Sequence, residues 1–155
     1  STMTGGRLKR VYDYIKDEEA FCFTYGDGVG NIDIKKSIDF HFNHGKLATM
    51  TSTLPPGRFG AINIEGNQIL NFKEKPKGEG AMINGGFFVL SPKVVESIEN
   101  DQSVWEHKPL KDLAESGELM AFKHEGFWQP MDTLRDKNKL QELWESKKAP
   151  WKTWK

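Results

Sequence analysis

Ala20-Phe21-Cys22-Phe23-Thr24-Tyr25-Gly26-Asp27-Gly28-Val29-Gly30 runs from an aromatic, apolar stretch directly into a glycine-rich turn. Glu19 to Tyr25 has the length and side chains of a short buried strand. A helix follows. Asp33 is a capping residue, Ile34, Ile38 and Phe42 recur at helical spacing, and Gly45 marks the end. A strand, a glycine turn and a helix in that order form the building unit of α/β proteins. At such a strand end a carboxylate faces the crevice where these folds bind ligands, which singles out Asp27.

The same reading extends in both directions. Upstream, Leu8, Val11, Tyr12 and Ile15 give Arg7 to Lys16 one helical face. Downstream, Leu47 to Thr53 reads as a strand and Pro55-Pro56-Gly57 as a loop. Ala61 to Ile64 and Ile69 to Phe72 are two strands around the turn Glu65-Gly66-Asn67, and Gly86 to Leu90 is a third. Pro92 to Glu99 and Trp105 to Ser116 are expected helices, the second closed by Gly117. Leu119 to Phe122 is a strand. Thr133 to Trp144 is a helix with Thr133 and Asp136 at capping-box spacing. Strands alternate with helices except for one run of successive strands. The expected fold is therefore α/β with a mixed sheet, residues 1–155 forming one domain.

Composition narrows the function. Twenty-two basic side chains balance 22 acidic ones, which argues against a nucleic-acid binder held by bulk positive charge. One cysteine, Cys22, excludes an internal disulfide framework and a cysteine-rich zinc module. Its apolar neighbours predict a buried, inert thiol. No apolar stretch approaches the roughly 20 residues of a membrane span, and the first residues carry no apolar signal region. The expectation is a cytoplasmic protein with no membrane and no nucleic-acid partner. His41 and His44 are expected at the surface of their helix without a metal. Trp144, Trp151 and Trp154 crowd the C-terminal end and are expected to dock on this chain or on a neighbouring subunit.

Several segments can carry chemistry, each with a plainer alternative. Asp27 can help hold Mg2+, which takes one or two carboxylates together with waters and phosphate oxygens; Asp-Gly is also a common turn pair. The Gly-x-Gly-x-x-Gly dinucleotide pattern fails here because Asn31 stands at its third glycine. A calcium-loop register from Asp27 fails as well, with Ile32 and Ile38 at its glycine and glutamate positions. In Glu74-Lys75-Pro76 the proline extends Lys75, whose ammonium can then seek a phosphate; an ordinary charged loop explains it equally. Asn84-Gly85-Gly86 allows close approach of a ligand to the backbone, or makes a hairpin turn. Arg58-Phe59-Gly60 is similarly open. Asp132 and Thr133 supply a second acid, or simply open a helix. No Walker glycine-lysine loop occurs, and the chain enters a helix directly after Thr4-Gly5-Gly6.

In order along the chain, six motifs resemble one family. They are Thr4-Gly-Gly-Arg-Leu-Lys-Arg-Val11, Tyr25-Gly-Asp-Gly28, Pro55-Pro-Gly-Arg-Phe-Gly60, Phe72-x-Glu-Lys-Pro76, Ile83-Asn-Gly-Gly-Phe-Phe-Val89 and Trp128-Gln-Pro-Met-Asp-Thr-Leu-Arg-Asp-Lys137. With the closing Ala149-Pro-Trp-Lys-x-Trp154, they resemble the glucose-1-phosphate cytidylyltransferases, a branch of the sugar-phosphate nucleotidyltransferases. Gly-Asp and Glu-Lys-Pro are shared widely among sugar nucleotidyltransferases. The Trp128 to Lys137 run and the terminal tryptophans are much more specific to the cytidylyl branch.

The resemblance implies a Rossmann-like nucleotide-diphospho-sugar transferase fold. It implies the reaction of CTP with α-D-glucose 1-phosphate to CDP-glucose and pyrophosphate, assisted by Mg2+. It assigns the metal to Asp27 and Asp132, the glucose phosphate to Lys75 and the glucose hydroxyls to Glu74. Gly60, Asn84 and Gly85 complete the sugar pocket, and Thr4, Gly5, Gly6 and Arg7 lie near the base. Asp27 and Lys75 are the implied catalytic groups. The product would feed CDP-linked deoxysugar synthesis for bacterial surface polysaccharide. The family's opening Gly-Gly-x-Gly-Thr-Arg and Pro-Lys-Pro segments do not occur here. The expectation is a C-terminal portion with its N-terminal part truncated, inactive alone for want of the CTP phosphate loop, with a separate N-terminal half as a conceivable partner. The alternative is a non-catalytic module that binds a sugar phosphate or only assembles. Either way a homo-oligomer is expected, covering exposed sheet edge and apolar surface.

Overall fold

The structure is a computed structural model and describes residues 1–56, 61–65, 68–73 and 82–154. In chain order the helices are α1 (Thr4–Arg10), α2 (Ile34–His44), α3 (Lys108–Glu115) and α4 (Leu134–Glu145). The strands are β1 (Phe21–Thr24), β2 (Gly28–Gly30), β3 (Ala48–Thr53), β4 (Ala61–Glu65), β5 (Gln68–Lys73), β6 (Ile83–Leu90), β7 (Leu119–His124) and β8 (Trp128–Pro130). Two 3₁₀ turns, Tyr12–Tyr14 and Pro92–Ser97, complete the described elements. The α/β class with a mixed sheet, expected from the sequence, is what the structure shows.

A four-stranded sheet has the order β1-β6-β3-β7, so neighbours in space are not neighbours in sequence and the connections cross over. β1 and β6 are antiparallel, with Phe21 opposite Leu90 and Thr24 opposite Phe87. β2–β8 and β4–β5 form two separate antiparallel ribbons.

The described chain divides into two compact units, each drawn from three stretches of sequence. The first comprises residues 1–25, 33–51 and 86–122; the second comprises 26–32, 52–85 and 123–155. Every residue of the main hydrophobic core belongs to the first unit. Leu8 of α1, Ala48 of β3, Phe88 and Leu90 of β6, Val94, Val95 and Ile98 after it, Leu113 of α3 and Trp105 ahead of that helix are all buried. Trp105 is fully enclosed, with its ring edge-on to Phe23 and Phe88 at centroid separations of 6.2 and 5.9 Å. Such edge-to-face pairs add to the apolar burial of the rings.

Local chemistry explains where elements begin and end. The Asp33 carboxylate accepts the Lys36 N–H at 3.0 Å and caps α2, which stops at Gly45 in the left-handed region (φ 64°). Thr133 and Asp136 form the expected capping box on α4.

Other expectations are corrected. The first helix starts at Thr4 and ends at Arg10. Tyr12 and Ile15 then pack on the core from a 3₁₀ turn and the residue after it. Pro92 to Ser97 is a 3₁₀ turn, and α3 opens only at Lys108, where Pro109 suits a first turn. β6 begins at Ile83, so Asn84-Gly85-Gly86 lies within a strand and is no hairpin turn.

Cys22 is exposed because β1 alternates, with Phe21 and Phe23 against the core and Cys22 and Thr24 turned outward. Partial shielding still pushes its thiol up.

His41 is buried, contrary to a surface position. Its Nδ1 lies 2.9 Å from the Thr49 Oγ1, which also lies 2.7 Å from the His44 Nε2. The Lys46 N–H donates to the His44 Nδ1, so the His44 Nε2 carries the proton and donates to Thr49. The same hydroxyl is hydrogen-bonded to the His41 Nδ1. Burial disfavours the charged form of both imidazoles.

Candidate functional site

The expected acidic pair lies within one unit. β2 and β8 are three residues each and pair antiparallel, with Gly28 opposite Pro130, Val29 opposite Gln129 and Gly30 opposite Trp128. The pairing extends one step further, where the Met131 N–H donates to the Asp27 carbonyl at 2.8 Å. Asp27 therefore sits across from Met131, and Asp132 is the next residue along. The ribbon thus brings two acidic residues that are remote in sequence to the same end of one antiparallel pair. Both residues are exposed.

The far end of the ribbon is closed by side chains. The Asn31 Oδ1 accepts the Phe127 N–H at 2.7 Å, and the Asn31 N–H returns a bond to the Phe127 carbonyl at 3.1 Å. The His124 Nε2 donates to the same carbonyl at 3.0 Å. Gly126 is needed there: a Cβ would lie 2.5 Å from the Asn31 Oδ1 and 2.7 Å from the His124 Cε1. Phe127 also stacks on Trp151 with ring centroids 5.4 Å apart, so one of the terminal tryptophans docks on its own chain.

Asn84 and Gly85 belong to the same unit as the acids. The Trp128 indole N–H donates to the Gly85 carbonyl at 2.9 Å, which ties the start of β8 to the start of β6. Asn84 is half-buried and Gly85 is buried. Gly86 follows with φ 76°, and a Cβ on it would lie 2.7 Å from the Tyr25 Cδ2. Gly60, Glu74 and Lys75 lie outside the described residues.

Thr4, Gly5, Gly6 and Arg7 form the first turn of α1 in the other unit. The Thr4 hydroxyl accepts the Trp105 N–H at 2.9 Å and donates to Glu106 at 2.8 Å. Gly5 and Gly6 are buried against the 101–103 backbone. A Cβ on Gly5 would lie 2.8 Å from the Ser103 carbonyl oxygen, and one on Gly6 would overlap the Asp101 carbonyl. Of these four residues Arg7 alone is exposed.

The sequence reading missed both strands of the acidic ribbon. Three residues that include glycines or a proline carry no visible alternation. It also missed Gln129, which is buried and bonded to α4. A polar residue between Trp128 and Pro130 was the available signal. Among the described residues no group of three or more His, Cys, Asp or Glu side chains is arranged to hold a metal ion. Two carboxylates open to solvent suit a cation that keeps waters and shares a substrate's phosphate oxygens, as Mg2+ does. Among the described residues no helix is long and apolar enough to cross a membrane.

α/β folds of this class bind their ligands at strand ends. The nucleotidyl transferase family pattern matches residues 4–142, and the chain belongs to that family. It is 68% identical over 154 residues to the glucose-1-phosphate cytidylyltransferase of Salmonella typhi, covering 99% of this chain and 60% of that protein. It is 40% identical, with the same coverage, to a probable glucose-1-phosphate cytidylyltransferase of Bacillus subtilis. The chain thus spans about three-fifths of the length of these relatives.

Solved structures agree on the fold. HddC from Yersinia pseudotuberculosis superposes with a TM-score of 0.69 at 24% identity, over 92% of this chain and 63% of that one. A putative glucose-1-phosphate thymidylyltransferase from Bacillus anthracis gives 0.65 at 18% identity, over 92% and 61%.

Proposed function

We propose that this chain supplies the sugar-phosphate and metal site of a glucose-1-phosphate cytidylyltransferase. The observation that carries the reading is the β2–β8 register, which sets Asp27 and Asp132 at one end of a single ribbon. The high identity to the Salmonella typhi relative supports the cytidylyl branch over other nucleotidyl transferases.

In this reading Asp27 and Asp132 hold Mg2+, which neutralises the phosphate oxygens when a sugar phosphate meets CTP. The glucose 1-phosphate oxygen attacks the α-phosphorus, the bond to the β-phosphate oxygen breaks, and pyrophosphate leaves. Two polyanions must be brought together, so charge neutralisation and positioning supply most of the rate. Lys75 holds the glucose phosphate. Glu74, Gly60, Asn84 and Gly85 form the sugar pocket, and the Trp128–Gly85 bond fixes part of its wall. Arg7, exposed on α1, is the member of the Thr4 to Arg7 stretch available to a nucleotide. The reaction is cytoplasmic. Exposed Trp144, Trp154 and Leu134 support self-association.

Calorimetric titration of the chain with glucose 1-phosphate and Mg2+, beside glucose, tests the reading. Glucose 1-phosphate should bind, glucose should bind at least tenfold more weakly, and Lys75→Ala should remove the difference. Equal binding of the two sugars, or none of the phosphate ester, would end this assignment.

A further inference from the structure

Gln129 has no part in the chemistry described above, yet its side chain is 98% buried and its polar atoms are all bonded. Its Nε2 donates to the Asp136 Oδ1 at 2.9 Å and to the Pro130 carbonyl at 3.3 Å. Its Oε1 accepts the Lys139 ammonium at 2.8 Å. The second Asp136 oxygen accepts the Thr133 N–H at 3.1 Å and the Thr133 hydroxyl at 2.8 Å. A buried polar group is costly unless fully bonded, so such a network holds one geometry.

The position of this network matters. Gln129 lies opposite Val29 in the ribbon, two residues before Met131, whose N–H is bonded to Asp27. Thr133 is the residue after Asp132. The backbone of Asp132 is therefore fixed on one side by the Met131–Asp27 bond and on the other by the Thr133–Asp136 bonds. Gln129 joins the two anchors, tying β8 to α4 through Asp136 and Lys139.

We propose that Gln129 and Asp136 are positioning residues that set the Asp132 carboxylate against Asp27 for joint capture of a divalent cation. The proposal rests on the metal reading of that acidic pair. Neither residue is placed on the cation. They act through the backbone on both sides of Asp132, as outer-shell partners orient metal ligands elsewhere. Lys139 supports the same arrangement through Gln129.

The test is Mn2+ binding to the full chain, followed by water-proton relaxation with glucose 1-phosphate present. Gln129→Met keeps the side-chain volume and removes its hydrogen bonds, and Asp136→Asn keeps the shape and removes the charge. Each should weaken Mn2+ binding roughly tenfold or more, and Lys139→Met about threefold. Trp151→Ala, which loosens the same unit by removing the Phe127 stacking partner, should lower the melting temperature and leave Mn2+ affinity unchanged. Unaltered Mn2+ affinity in Gln129→Met and Asp136→Asn overturns the positioning role while leaving the metal reading intact. An equal loss in Trp151→Ala also overturns it, because general loosening would then suffice. If Gln129→Met and Asp136→Asn do not fold, Lys139→Met decides, and wild-type affinity there counts against the proposal. Failure of the wild-type chain to bind Mn2+, or binding indifferent to Asp27→Asn, overturns the metal reading and the proposal with it.

Discussion

The Met131 N–H donates to the Asp27 carbonyl at 2.8 Å, and this single backbone bond sets the distant residues Asp27 and Asp132 at the same end of one ribbon. The bond continues the β2–β8 ladder by one step and places Asp132 beside the strand end that carries Asp27. If the two carboxylates hold one cation together, they are energetically coupled. Asp27→Asn and Asp132→Asn should each remove most of the divalent-metal affinity, and the double variant should add little. Strictly additive losses in a metal titration would show two independent acids.

Gly86 tests the strand that carries Asn84 and Gly85. Its φ of 76° is strained for any side chain, and a Cβ would press on the Tyr25 ring at 2.7 Å. Gly86→Ala should therefore destabilise the protein by roughly 1–3 kcal/mol. Chemical denaturation gives the number, and an unchanged midpoint would mean the backbone there is not held as described.

Gly6 tests the packing of α1. A Cβ would overlap the Asp101 carbonyl, and backbone cannot step aside as a flexible side chain can. Gly6→Ala should cost about 1–3 kcal/mol through overpacking, and Arg7→Ala, at an exposed position, within about 0.5 kcal/mol. Thermal unfolding of the two variants separates them. Equal melting temperatures would contradict the close approach of α1 to residues 101–103.

His41 and His44 predict an acid-sensitive unit. Burial holds both imidazoles below their ordinary range; His41 is further lowered by His44, and His44 by Lys46 against the opposing pull of Glu118. The unfolded chain therefore takes up protons at a higher pH than the folded one. The stabilisation is complete above about pH 6.5 and is lost as pH falls through the lower folded values. Glu118 adds to the loss at lower pH. Its carboxylate is held down by the Leu47 N–H and the Lys46 ammonium, and protonation gives up those bonds. Melting temperature should fall on acidification from pH 7 to pH 5, and His41→Gln with His44→Gln should flatten that fall. A profile of the same slope in the double variant would place the sensitivity elsewhere.

The elements legible in the sequence are those whose signals are local. Asp33 and Gly45 bracket α2 because a side-chain cap and a left-handed glycine need only their own neighbours. The Thr133–Asp136 box is legible for the same reason. β2 and β8 were not, because Gly28 to Gly30 becomes a strand only when Trp128 to Pro130 lies beside it. Cys22 is exposed against expectation because apolar neighbours in sequence do not bury every residue of a strand that turns alternate side chains outward. His41 was placed at the surface because nothing local announces the Thr49 hydroxyl that bonds it. Asp27 is legible from its place after a strand and Asp132 from its place before a helix, and their pairing comes from motif resemblance; their shared ribbon is a tertiary fact that no spacing could give.

The most direct measurement uses a chimera in which this chain replaces the matching three-fifths of the Salmonella typhi relative. Pyrophosphate release from CTP and glucose 1-phosphate is followed with Mg2+, beside the Asp27→Asn and Asp132→Asn versions. The account predicts an active chimera whose rate falls by about a hundredfold or more in either variant, the loss expected when a group neutralising transition-state charge is removed. A chimera that keeps its full rate without either carboxylate would contradict the assignment of the metal to this pair.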